Sequence, residues 1–192
     1  MGMSQAELLS LFDTATETGF RIIRSVPERI WGVQPEKKFG PGEIIVHLTQ
    51  SEGFALKFIV PAVTEWFMKP FVLTEPFVSL VAIPDPKLRH QKLSELNLQG
   101  ARQGILKFKE LDELRNFWVT RRQEARAMLD RIPETQYRET IDYPLVHLSE
   151  TCAKMIVILF VHHCYYHLGQ LTAQMKELGY ADCVPFPFGE FV

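Results

Sequence analysis

Two histidines, His163 and His167, stand four residues apart in the run Val161-His162-His163-Cys164-Tyr165-Tyr166-His167-Leu168-Gly169-Gln170. On a helix, residues at i and i+4 share a face, roughly 6 Å apart along the axis. Two imidazoles set that way can reach one metal ion together. They can equally form a packed or hydrogen-bonded pair, because two ligands are too few for a tight site. Gln170 follows His167 by three residues and shares the face. It can orient a ligand or a bound water, or simply bond across to another helix.

The surrounding pattern is helical. Met155 to Val161 is continuously apolar, and the pattern continues through Leu168, Leu171, Met175 and Leu178. Gly179 is a good stop. One helix over about Glu150 to Leu178 therefore carries the pair near its middle. His162 and Cys164 are each rotated about 100° from His163 and point off its face. His90, in a charged stretch read as loop, and His147, in a connector, read as surface histidines.

A third ligand has to come from another helix. The first helix starts at Ser4, with Glu7 three residues on as a capping box. Its stripe is Leu8, Leu11, Phe12, Ala15, Gly19, Ile22 and Ile23, and Pro27 ends it. A second helix runs from Pro41 to about Val60, with Ile44, Leu48, Ser51, Ala55 and Phe58 on one face. His47 lies on that inward face, where an ionisable group needs a partner. That makes it the best candidate for the missing ligand.

Residues 61–109 are harder to read. Pro61, Pro70, Pro76, Pro84 and Pro86 exclude a long helix in the first half, while Phe67, Phe71, Phe77 and Val81 are too apolar for a disordered linker. The expectation is an ordered insertion, with a short helix near Leu96 to Phe108. A third long helix spans Glu110 to Ile132, with Leu111, Leu114, Trp118, Ala125, Met128, Leu129 and Ile132 as its stripe. Arg121 falls inside the stripe. It either snorkels along apolar surface or binds an anion near the site. Four long amphipathic segments without strand alternation or internal repeat predict a single all-α bundle domain over 1–192, with residues 133–149 as a connection.

Composition narrows the function classes. A formal charge of −2 with mixed signs gives no nucleic-acid surface. No apolar run approaches the roughly 18 residues of a membrane helix. The N-terminal residues lack the pattern of a signal peptide. Three cysteines, Cys152, Cys164 and Cys183, sit at no framework spacing and predict free thiols in a reducing cytoplasm.

One histidine in Ile45-Val46-His47-Leu48, a long gap, and then His163-Cys164-Tyr165-Tyr166-His167-Leu168-Gly169-Gln170 resembles the DinB/YfiT-like family of metal-binding four-helix bundles. The resemblance covers most of the chain, and the His-x3-His-x-Gly-Gln run is its specific part. Two departures stand out: Leu168 occupies a position where the family often has Arg, and the 61–109 stretch is longer than typical. The resemblance implies an up-down-down-up four-helix bundle and a metal held by His47, His163 and His167. It also implies zinc or nickel as the metal, and self-association as a homodimer.

Three neutral imidazoles leave a divalent ion with its full charge and an open position. Such an ion can acidify a water or a thiol. The resemblance favours a thiol-dependent S-transferase that uses a low-molecular-weight thiol against an electrophile, with the catalytic protein residue left unassigned. A hydrolase using a bound water is the alternative, but it needs a general base. Glu52 is the weak candidate, about 140° around the second helix from His47. A non-catalytic, metal-stabilised binding protein is the third reading. The tail Val184-Pro185-Phe186-Pro187-Phe188-Gly189-Glu190-Phe191 suits a lid or a dimer contact.

Overall fold

Ser4 caps the first helix as its sequence predicts. Its hydroxyl accepts from the Glu7 N–H, the Glu7 carboxylate accepts from the Ser4 N–H, and α1 follows over Gln5–Arg24. The computed structural model describes residues 3–63 and 76–185; the side chains of residues 57, 58, 60–63 and 144 lie outside that description. Phe67 and Phe71, the Phe58 side chain, and the tail from Phe186 onward therefore lie outside the described residues. The described chain is predominantly helical.

Helix α2 spans Pro41–Val63, three residues past the expected end. It buries Ile44, His47, Leu48, Glu52, Ala55 and Ile59. A short α3, Phe77–Val81, precedes α4, Pro86–Ile105. The stretch expected as an insertion with a short helix thus holds a full-length helix. Asp85 starts α4 by accepting from the Lys87 and Leu88 N–H groups, with Pro86 at the first helical position. His90, expected in a loop, lies on α4 and is exposed. Helix α5 is Leu111–Asp130.

A second departure follows. The 133–149 connection contains most of an antiparallel hairpin, β1 Thr140–Tyr143 paired with β2 Leu148–Thr151. Ile141 and Tyr143 turn into the core while Thr140 and Asp142 face out. His147 sits at the hairpin turn with φ 51°, and its ring lies 2.6 Å from the Arg89 guanidinium.

The last helix starts at Cys152 rather than near Glu150, capped by Thr151. It is not regular throughout. α6, Cys152–Ile156, runs into a π-helical turn over Val157–His162, and α7, His163–Glu177, continues from it. The His163 N–H bonds to the Ile158 carbonyl, five residues back. Gly179, at φ +87°, ends the helix. Its N–H bonds to Lys176 O and the Tyr180 N–H to Met175 O, which satisfies two terminal carbonyls.

Helix α5 packs against both α1 and α2, α7 packs against the same two, and α4 covers α2. Gly19 lets α5 come close: a Cβ there would stand 2.6 Å from the Trp118 ring. The core falls into two apolar clusters. One joins Phe12, Ala55, Ala125 and Phe160 to the hairpin residues Ile141 and Tyr143. The other joins Ile22, Ile44, Leu48, Trp118, Cys164 and Leu168. Among the described residues no helix is long and apolar enough to cross a membrane.

Candidate metal centre

His47 is one turn past Ile44 on the buried face of α2, and only 4% of it is exposed. His167 is buried on α7, and His163, at its first residue, is half-buried. The two helices pack against each other, and the three rings meet. Centroids lie 4.5 Å apart for His47 and His167, 4.5 Å for His163 and His167, and 5.3 Å for His47 and His163. One nitrogen from each ring lies within 4.8 Å of the other two, a group that can hold a metal ion.

The donor set suits such an ion. Two imidazole nitrogens on a tetrahedral ion, each at about 2.05 Å, stand roughly 3.3 Å apart. The Nε2 atoms of His163 and His167 are 3.1 Å apart. Burial disfavours charge on all three rings. It lowers His47 to about 2, with His167 and His163 adding repulsion. It lowers His163 to about 3, with His167 adding to the effect. His167 falls to about 4, again by burial, although its bond to Gln170 pulls the other way. Near neutral pH the rings are therefore uncharged, and each keeps a lone pair.

Gln170 fixes which nitrogen of His167 carries that lone pair. Its Oε1 lies 2.8 Å from His167 Nδ1 and accepts that N–H, which leaves Nε2 as the free donor atom. The reading of Gln170 as a residue that orients a ligand thus has a named partner.

A second side chain closes over the rings, one that carries no chemical signal in the sequence. Phe39 stacks on His47 at 4.9 Å and meets His167 edge-on at 6.1 Å. Its loop is tied down on two sides. Gln174 Nε2 donates to Phe39 O, and Lys38 pairs with Glu177 on α7. Arg102 of α4 donates to the Pro35 and Glu36 carbonyls and pairs with buried Glu43, which accepts from the Gly40 N–H. A cavity of about 330 Å³ borders Phe39, Gln170, Lys37 and Lys38.

Other candidate residues lie elsewhere. Arg121 is exposed on α5, paired with Glu124 at 2.6 Å and set over the Phe117 ring, so the structure does not bring it to the histidines. Its neighbour Arg122 takes the inward position instead. Trp118 and Ala125 are four residues before it and three after, a spacing that fits the stripe as well as Arg121 does. Glu52 is buried against Arg122, with Oε1 2.8 Å from Nη1. His162 is exposed, as its rotation predicts. Cys164 and Cys152 are buried among apolar side chains, and burial pushes both thiols up to about 12. Cys183 is exposed and free.

Residues 93–184, just under half of the chain, match the DinB family. The matched span contains His163, His167 and Gln170, while His47 lies outside it. No curated protein and no solved structure matches the chain.

Proposed function

The chain belongs to the DinB-like superfamily through this second-half match, and on that premise we propose a metal-dependent S-transferase that joins a low-molecular-weight thiol to an electrophile. The observation that carries the proposal is the convergence of three uncharged imidazoles, one of them held in a defined tautomer by Gln170. In this reading His47, His163 and His167 hold one divalent ion, zinc or nickel. The ion supplies a Lewis acid that lowers the pKa of a thiol from its free value of about 8.5.

The protein's own residues do the rest. Gln170 keeps the His167 proton on Nδ1. Phe39 covers the rings and limits water, which strengthens electrostatic interactions there. The cavity beside Phe39 and Gln170 has room for the body of a small thiol, with Lys37 and the Lys38–Glu177 ion pair at its edge. In the transfer a carbon–sulfur bond forms, the thiol proton passes to solvent, and the leaving group departs with its electron pair.

Two features weigh against a cysteine nucleophile and against hydrolysis. The buried Cys152 and Cys164 are poor nucleophiles, because only the thiolate attacks. Glu52, the candidate base for hydrolysis, is 1% exposed and bound to Arg122. The proposal extends to an up-down-down-up four-helix bundle that works in the cytoplasm as a homodimer.

The test is turnover of an electrophile panel with each of several thiols, in metal-loaded and metal-stripped protein. The proposal expects activity that requires both metal and thiol and that survives replacement of Cys152, Cys164 and Cys183 by alanine. Activity that persists without metal, or disappears in Cys164→Ala alone, overturns it. Metal-dependent turnover with no thiol requirement would favour hydrolysis.

A further inference from the structure

Between the two apolar clusters runs a polar layer built on one side chain. Arg122 of α5 is fully buried. Its Nε donates to Thr16 Oγ1 at 2.9 Å and its Nη2 to Phe12 O at 3.2 Å, both on α1. Its Nη1 donates to Glu52 Oε1 on α2 at 2.8 Å and to Phe160 O in the last helix at 3.0 Å. The Phe12 ring lies 3.9 Å from the guanidinium carbon. One residue thus joins α1, α2 and the last helix to α5.

The contact with Phe160 falls at a particular place. Cys152, Ile156, Phe160, Cys164 and Leu168 are all buried, at an unbroken spacing of four. On a regular helix each step of four overshoots one turn by about 40°, so such a stripe winds off the core. The π turn over Val157–His162 absorbs that drift. The core face is kept from Cys152 to Leu168, and His163 and His167 are delivered toward α2. A π turn disturbs the carbonyl ladder, and a buried carbonyl within it needs a donor. Arg122 donates to one carbonyl of the turn, Phe160 O, three residues before His163. The same nitrogen holds Glu52, five residues after His47.

We infer that Arg122, with Glu52 as its counter-ion, is a positioning residue for the three-histidine centre: it clamps the π turn that leads directly into His163 and His167 against the helix that carries His47. The inference rests on the metal reading given above, and its geometric part stands apart from it. A residue that only stabilised the fold would change the melting temperature and leave the site alone. A positioning residue changes the site in protein that is still folded.

The experiment uses two variants of the full chain. Glu52→Gln/Arg122→Met removes both charges together, so that neither is left buried alone. Arg122→Lys keeps the charge but cannot reach acceptors on three helices. Cobalt(II) titrations read affinity and ligand-field absorption at a temperature where each variant is folded by circular dichroism. Long-range proton–nitrogen spectra read the imidazole rings in metal-free protein. We expect cobalt to bind about 10–100-fold more weakly with shifted absorption bands. We also expect the His163 and His167 ring signals to move while that of His90, exposed on α4, stays. Ring signals that coincide with wild type in either folded variant, or unchanged cobalt affinity and bands, overturn the inference. A wild-type protein that takes up no cobalt contradicts the metal reading instead, and the ring signals then decide the role of Arg122.

Discussion

The helical core is interrupted by two polar groups that resolve burial in opposite ways. Around Arg122, four of the five guanidinium N–H groups are spent on Thr16, Phe12, Glu52 and Phe160. Burial pushes the Glu52 carboxyl above its usual range, and the guanidinium beside it pulls against that. The histidine group has the reverse character. Three rings that burial holds uncharged turn nitrogens toward one another, and the His167 Nε2 that Gln170 leaves unprotonated lies 3.1 Å from His163 Nε2. A guanidinium bonded to three helices fixes geometry, whereas three converging imidazole nitrogens can hold a cation. The comparison separates residues that place the site from residues that do its chemistry.

The largest effect comes from breaking the Arg122 cluster on one side only. Arg122→Ala leaves the Glu52 carboxyl buried without its partner, and should cost roughly 3–5 kcal/mol of folding stability. Denaturant unfolding measures it; a loss below 1 kcal/mol would show that the layer carries little. Next comes the histidine group's orienting bond. Gln170→Ala should weaken metal binding by about 10–100-fold with stability nearly unchanged, and calorimetric titration of zinc would detect an affinity that stays put.

The same comparison sets a pH dependence. The three folded-state pKa values lie at about 2, 3 and 4, below the ordinary imidazole value near 6.5 that applies to the unfolded chain. Between these limits the unfolded chain binds more protons. The stability contribution is therefore complete above about pH 6.5 and is lost as pH falls toward the folded values. Metal-free protein melted at steps from pH 7.5 to 4.5 should show this decline, and a His47→Ala/His163→Ala/His167→Ala variant should show a shallower one. Equal slopes would refute it. The smallest effect belongs to Arg121. Its pair with Glu124 is exposed, so Arg121→Ala should change stability by no more than about 0.5 kcal/mol and metal affinity not at all.

How far the sequence could be read follows from the same contrast. The histidine group was legible because His163 and His167 repeat at one helical turn and His47 lies on an apolar face. The Arg122 layer was not, because stripe spacing alone admits Arg121 and Arg122 equally, and only packing against α1 and α2 selects Arg122. Helix α4 was hidden for a related reason. Its buried residues are Arg89, Ala101, Gly104 and Ile105, one charged and the others clustered in the last turns, which makes no apolar stripe. The prolines before it drew attention away from Asp85-Pro86, a good start signal. In the hairpin only β1 alternates, over four residues, too short to stand out, and β2 does not alternate at all. The π turn left its trace in the four-residue spacing from Cys152 to Leu168, which passes for an ordinary helix unless the drift is counted.

The central claim is that His47, His163 and His167 form one metal site. Elemental analysis of protein purified without chelator, alongside His47→Ala, His163→Ala, His167→Ala and the outward-facing control His162→Ala, tests it most directly. The account predicts one divalent ion per chain in wild type and in His162→Ala, and sharply reduced content in each of the other three. Full metal content in the His47→Ala protein would contradict it.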